Sequence, residues 1–248
     1  MTAGGGAARR ALYDEHVPPV RGRARPPSHQ GGATTRYVDL SVPITTGMPV
    51  YPGDPEVELR PAATVSAEGC NVLALSMGSH TGTHVDAPYH VDDRLPTLDE
   101  LPVGRFIGPA VVVDARDAAP RAALGPERFA EVARPGAIVL VATGWSAHWG
   151  TETYQSHPYL DAEAARLLAE AGVGTVGIDA LSVDPTPAEE FPAHLALCGA
   201  GVVIAENLAN LAELLDAQAA GLAIEVSLLP LRLSRGDGSP VRAVARVG

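Results

Sequence analysis

The sequence predicts an α/β domain with a mixed sheet or barrel-like core and peripheral helices. Short apolar segments of strand length recur from Tyr37 to the end of the chain, helical patterns are few, and the two intermix without regular βαβ alternation. At 248 residues, 46% hydrophobic and 19% charged, the chain is long enough to bury one substantial core.

Residues 1–35 are rich in Gly, Ala, Arg and Pro, with Pro18-Pro19 and Pro26-Pro27 and no apolar periodicity, and read as a mobile or extended arm before a domain over 36–248. Strands are expected at Tyr37–Leu40, Val57–Thr64, Val72–Met77, Ala110–Asp114, Ile138–Ala142, Thr175–Ile178, Gly201–Ala205, Leu222–Leu229 and Val241–Val247. Pro126 at a first helical position predicts a helix over Gly125–Val132, and Asp161 predicts the cap of a helix that ends before Gly172. Leu208–Ala220 is Ala/Leu-rich and helical in pattern, and Phe191–Leu197 is expected to form a short helical turn.

Composition excludes several functions. The net charge is −11; five Arg against Asp14 and Glu15 give the arm +3, leaving −14 on the body, which would repel a phosphate backbone. With three Phe and two Trp there are few platforms for stacking bases, so no nucleic-acid partner is expected. All 18 basic residues are Arg, which rules out a P-loop, a lysine Schiff base and a Ser-Lys pair; no Gly-x-Ser-x-Gly elbow is present either. No apolar run is long enough to span a membrane, and Arg9-Arg10 precedes Ala-Leu-Tyr-Asp-Glu-His rather than an apolar core, so a cytoplasmic protein is expected. Cys70 and Cys198 read as two buried thiols.

Chemistry then rests on His, Asp and Glu. Three of the eight His fall at His80, His84 and His90, with Asp86 among them, in a segment dense in Gly, Thr and Pro. On an extended strand, positions 84 and 86 point to the same face, and Gly82 allows the turn that brings His80 to them. Imidazole nitrogen with carboxylate oxygen suits Zn²⁺, Mn²⁺ or Fe²⁺.

His80-x-Gly82-Thr83-His84-x-Asp86-x-Pro88-x-His90 resembles the signature of the cyclase-like metal-dependent hydrolases, a family that includes bacterial kynurenine formamidases and isatin hydrolases. Asp39-Leu40-Ser41 with Met48–Pro55, Thr143-Gly144-Trp145, Gly177–Pro185 and Asp237–Ala243 are similar to further blocks of that family, so the resemblance runs from about Tyr37 to Arg246. It implies a swivelling β/β/α-type fold, assembly as a homodimer or homotetramer, and one or two divalent metals per chain, Zn²⁺ or Mn²⁺ foremost. By the same resemblance His80, His84 and Asp86 hold one ion, His194 and Glu206 hold a second with Asp86 bridging, and His90 is the acid/base. The implied reaction is hydrolysis of an N-formyl aryl amide such as N-formylkynurenine. Alternatives are opening of a cyclic amide or lactone, or a cyclase or dehydratase step.

Tyr51 and Trp145, with Phe191 after them, are the candidates to line a pocket for a small aromatic substrate. His16, His29, His148 and His157 read as surface residues, and Asp179 and Asp184 as structural residues of the turn after the Thr175 strand.

Overall fold

In a computed structural model that describes residues 35–248, thirteen strands and four helices follow the chain. The arm expected over 1–35 lies outside these residues except for Thr35, as do His16 and His29. The strands are β1 Arg36–Asp39, β2 Glu58–Ala63, β3 Val72–Ser76, β4 His84–Asp86, β5 Ile107–Asp114, β6 Ala123–Leu124, β7 Ile138–Ala142, β8 Tyr159–Leu160, β9 Thr175–Ile178, β10 Val203–Glu206, β11 Ile224–Ser227, β12 Gly238–Pro240 and β13 Val244–Val247. The helices are α1 Val65–Glu68, α2 Ala162–Glu170, α3 Pro192–Gly199 and α4 Leu211–Ala219.

Nine strands form one mixed sheet in the order β1-β13-β11-β5-β7-β9-β10-β4-β12, while β2 pairs with β3 and β6 with β8. The centre, β5-β7-β9-β10, is parallel, and both flanks are antiparallel. A parallel centre needs cover on both faces, which is why β7 reads Ile-Val-Leu-Val-Ala without polar alternation. Ile138, Leu140 and Ala142 enter one core together with Leu211, Leu214 and Leu215 of α4. Val139 and Val141 enter the other, shared with Ala164, Ala165 and Leu168 of α2 and with Ala193, Leu197 and Cys198 of α3.

The Asp161 cap forms as expected: its carboxylate accepts the Ala164 N–H at 2.7 Å, an interaction that contributes about 1 kcal/mol. The helix expected over Gly125–Val132 shrinks to a single 3-10 turn at Pro126–Arg128. Only Phe129 of its apolar residues is fully buried, and Val132 just half-buried, so a longer helix had too little face to bury. β4 and β12, three residues each and without a strand's apolar alternation, were not among the strands expected; the pairing of β4 with β10 on one side and with β12 on the other supplies what their sequence does not. Cys198 is buried as expected, but Cys70 is exposed beside the turn between α1 and β3. His157 is also a correction, being buried with both ring nitrogens engaged by the Pro158 carbonyl and the Thr186 hydroxyl.

At Gly177 on β9 the core on the α4 side closes against the sheet: a Cβ there would lie 2.7 Å from both Leu140 Cδ2 and Leu208 Cδ1. Gly177→Ala should therefore lower unfolding stability by about 1–3 kcal/mol, as overpacking does, measured by urea denaturation of the metal-free protein. An unchanged midpoint would show that the sheet does not set this spacing.

Candidate metal centre

β4 is held between β10 and β12, with His84 opposite Glu206 on one side and Pro240 on the other, and Asp86 opposite Ile204 and Gly238. Val85 points into the α4 core, so His84 and Asp86 emerge on the opposite face with Glu206, the face that α3 covers. α3 brings His194 down onto that face. Gly82, at φ +61°, makes the turn that returns His80 to the same place.

The geometry centres on Asp86, whose carboxylate is 1% exposed. Its Oδ1 lies 2.6 Å from His80 Nδ1 and 3.3 Å from His84 Nε2, while Oδ2 faces His194 Nε2 at 3.7 Å. Glu206 spans the far side, with Oε2 3.6 Å from His84 Nε2 and Oε1 3.5 Å from His194 Nε2. Two donor sets meet at Asp86, His80/His84/Asp86 and Asp86/His194/Glu206, the donor atoms of each lying within 4.8 Å of one another; a third set on the same criterion, the less buried His80/His90/Asp237, lies beside them without Asp86. Asp86 Oδ2 is buried without a hydrogen-bond partner, an expensive state for a carboxylate oxygen that a cation between it and His194 would relieve. The residues present therefore fit a divalent metal, and fit it in two adjacent positions.

Each imidazole is oriented by its second nitrogen. His84 Nδ1 donates to the Gly82 carbonyl at 2.8 Å, a carbonyl that Asn207 Nδ2 also engages at 3.0 Å while Tyr154 Oη donates to Asn207 Oδ1 at 2.9 Å. His194 Nδ1 lies 2.7 Å from Asp184 Oδ2, and His80 Nε2 lies 3.0 Å from Asp237 Oδ2. Such partners fix which nitrogen faces the ion. His80 thus presents Nδ1, whereas His84 and His194 present Nε2.

The electrostatics follow from burial opposed by close charge. Burial disfavours the His80 imidazolium, but Asp86 and Asp237 override it and raise its pKa to about 11. Burial likewise opposes the His194 cation, yet Asp184 and Asp86 lift it to about 10. Asp86, despite full burial, is held well below the usual carboxylate range by His84 and His80, whereas burial pushes Glu206 up. His90 moves the other way: burial, with the His80 and His194 cations adding to it against Asp86, lowers its pKa. Its ring sits 4.1 Å from that of His80 and 5.9 Å from that of His194, centroid to centroid.

A cavity of about 580 Å³ opens onto these groups. Its apolar wall includes Val50, Tyr51, Val91, Leu181 and Phe191. Tyr51 is thus where the sequence placed it, with burial and then Glu206 raising its pKa. Trp145 is a correction: it is 7% exposed in the core, donating its indole N–H to the Tyr154 carbonyl at 3.0 Å, and does not line the cavity. Sequence reasoning also missed Asp184, Asp237, Gly238 and Asn207. Asp237-Gly238 has the form of a turn dipeptide, and only the pairing of β12 with β4 reveals what it touches.

The family model for Cyclase matches residues 38–185. The kynurenine formamidase of Salinibacter ruber is 36% identical over 212 residues, covering 84% of this chain and 96% of that protein. That of Bacillus thuringiensis is 34% identical over 214 residues, covering 86% and 98%. Among solved structures, isatin hydrolase A from Labrenzia aggregata, bound to benzyl benzoate, superimposes with a TM-score of 0.76 at 28% identity, covering 86% of this chain and 94% of that one. A structure described as a potential metal-dependent hydrolase with cyclase activity gives 0.69 at 27% identity, covering 86% and 98%.

A Cβ on Gly238 would meet His80 Cε1 at 2.7 Å and the Val85 carbonyl oxygen at 2.9 Å, so this glycine leaves the space the His80 ring occupies. Gly238→Ala should displace that ring and weaken divalent-metal affinity at least tenfold, read by competition with a chromophoric chelator on the folded protein. Wild-type affinity in the variant would mean that the position of His80 does not matter to the centre.

Proposed function

The chain belongs to the cyclase family, and from that premise we propose that this metal-dependent amide hydrolase cleaves an N-formyl aryl amide of the N-formylkynurenine type, using two Zn²⁺ or Mn²⁺ ions bridged by Asp86. The observation that carries the reading is the division of Asp86: Oδ1 faces the His80/His84 pair and Oδ2 faces His194, so one buried carboxylate serves two donor sets. Nitrogen and oxygen donors in this mixture suit either ion. When bound, the metal supplies a Lewis acid for the scissile carbonyl and acidifies water.

The protein's own groups do the rest. His84, Asp86 and Glu206 would hold the ions from paired strands, with His80 completing the first set and His194 the second from α3. Val50, Tyr51 and Phe191 offer the aryl ring an apolar surface beside them and exclude water from it. The volume falls within the ~300–1,000 Å³ usual for small-molecule sites. Among the described residues lining the cavity there is no Arg to pair with a substrate carboxylate, while Asp54 gives a substrate ammonium a partner.

His90 is the proton carrier. Its lowered pKa leaves it neutral near pH 7, able to take a proton from attacking water and return it to the departing amine nitrogen. With 35% of its side chain exposed it reaches the cavity, while Asp237 Oδ2 stands 3.9 Å from its Nδ1.

His90→Ala should keep wild-type metal content while hydrolysis falls about 10²- to 10⁴-fold. The loss should be largest for poorly stabilised amine leaving groups and smaller for activated aryl esters that need no proton. Equal losses across the leaving-group series, or loss of metal with activity, would remove His90 from this role.

A further inference from the structure

The two donor sets differ in how they are supported. On the second set, two neighbouring residues of one buried loop orient His194 and Glu206. Val183 N–H donates to Glu206 Oε1 at 2.8 Å, and Asp184 accepts from His194. Neither hydrogen-bonds to His80 or His84, whose partners among the described residues are Asp86, Asp237 and the Gly82 carbonyl. Asp184 is fully buried, and three donors converge on its two oxygens: Oδ1 takes the Ala193 N–H at 2.8 Å, and Oδ2 takes both the His194 backbone N–H at 2.9 Å and the His194 ring at Nδ1, 2.7 Å away.

That geometry does two things at once. It ties down the first turn of α3, and it commits one proton of His194 to Nδ1, so that Nε2, aimed between Asp86 Oδ2 and Glu206 Oε1, is the nitrogen whose lone pair becomes available once an ion displaces its proton. We propose that Asp184 is a positioning residue dedicated to the second metal, setting through the ring of His194 how tightly that ion is held while leaving the first ion untouched. The proposal rests on the two-ion reading above.

Asparagine at this position keeps the shape and the capping tendency of aspartate but has one acceptor instead of two. If its oxygen faces His194, its amide hydrogens oppose the Ala193 N–H. If its amide group faces His194, the ring must turn Nδ1 into an acceptor, which places the proton on Nε2 and removes the lone pair an ion needs. Either arrangement perturbs His194 and neither reaches His80 or His84. A carboxylate that served only as a helix cap would behave differently, changing the stability of the metal-free protein and leaving the two affinities in their wild-type ratio.

The test titrates Zn²⁺ against a chromophoric chelator for wild type, Asp184→Asn and Asp184→Ala. The unfolding midpoint of each metal-free protein is read in parallel, and Co²⁺ absorption is followed as a second probe of coordination. The expected result is two ions in wild type, with the second weakened about 10- to 100-fold in Asp184→Asn and more in Asp184→Ala, the first changed by less than about threefold, and the Co²⁺ spectrum altered only in its second equivalent. Unchanged second-ion affinity in either folded variant, or equal weakening of both ions, would overturn the assignment. A wild-type chain that takes up a single ion would overturn the two-ion reading and this assignment together.

Discussion

Everything at this site depends on a charge kept where charge is costly. Asp86 is buried to 1% exposure in the sheet, and an isolated carboxylate in such a place costs several kcal/mol and would ordinarily take up a proton. It stays ionised because His80 and His84 converge on one oxygen and His194 on the other, the arrangement that holds its pKa well below the usual range. The histidines in turn are held by their far nitrogens, on Asp237, the Gly82 carbonyl and Asp184. Without metal, protons fill this cluster, so divalent ions must displace them from groups that have no other way to balance the charge.

The fold serves this constraint. The antiparallel register of β4 against β10 places Glu206 opposite His84, and the alternation of side chains along β4 sends Val85 into one core while His84 and Asp86 face the other. α3, crossing between β9 and β10, covers that second face and delivers His194. Two glycines make the close approaches possible: Gly82 turns the chain at positive φ, and Gly238 leaves room for the His80 ring. A sheet buried on both faces is stiff, and stiffness is what donor atoms need in order to stay within a few ångströms of one another without an ion to gather them.

Much of this was legible in the sequence because it is local. The two-residue spacing of His84 and Asp86, with a glycine before them, encodes a shared face whatever the rest of the chain does. β7 and β9 have the bounds their apolar runs predict, and the Asp161 cap starts α2. His194 and Glu206 were reached only through resemblance, because the contact that unites them with Asp86 spans more than a hundred residues and leaves no local pattern. Asp184 and Asp237 stayed hidden for the same reason, each sitting in a turn-like stretch whose composition explains itself without a partner. Trp145 misled in the opposite sense, since an aromatic residue next to a Thr-Gly turn looks available to a ligand until its indole N–H is found satisfied by the Tyr154 carbonyl inside the core.

The central claim is that one buried carboxylate joins two ions, and the most direct measurement is an anomalous-difference map from crystals of the Mn²⁺-loaded protein. The account predicts two peaks, one against Asp86 Oδ1 within reach of His80 and His84, the other against Asp86 Oδ2 within reach of His194 and Glu206. A single peak on one side of Asp86, or two peaks of which one lacks Asp86 as a ligand, would contradict it.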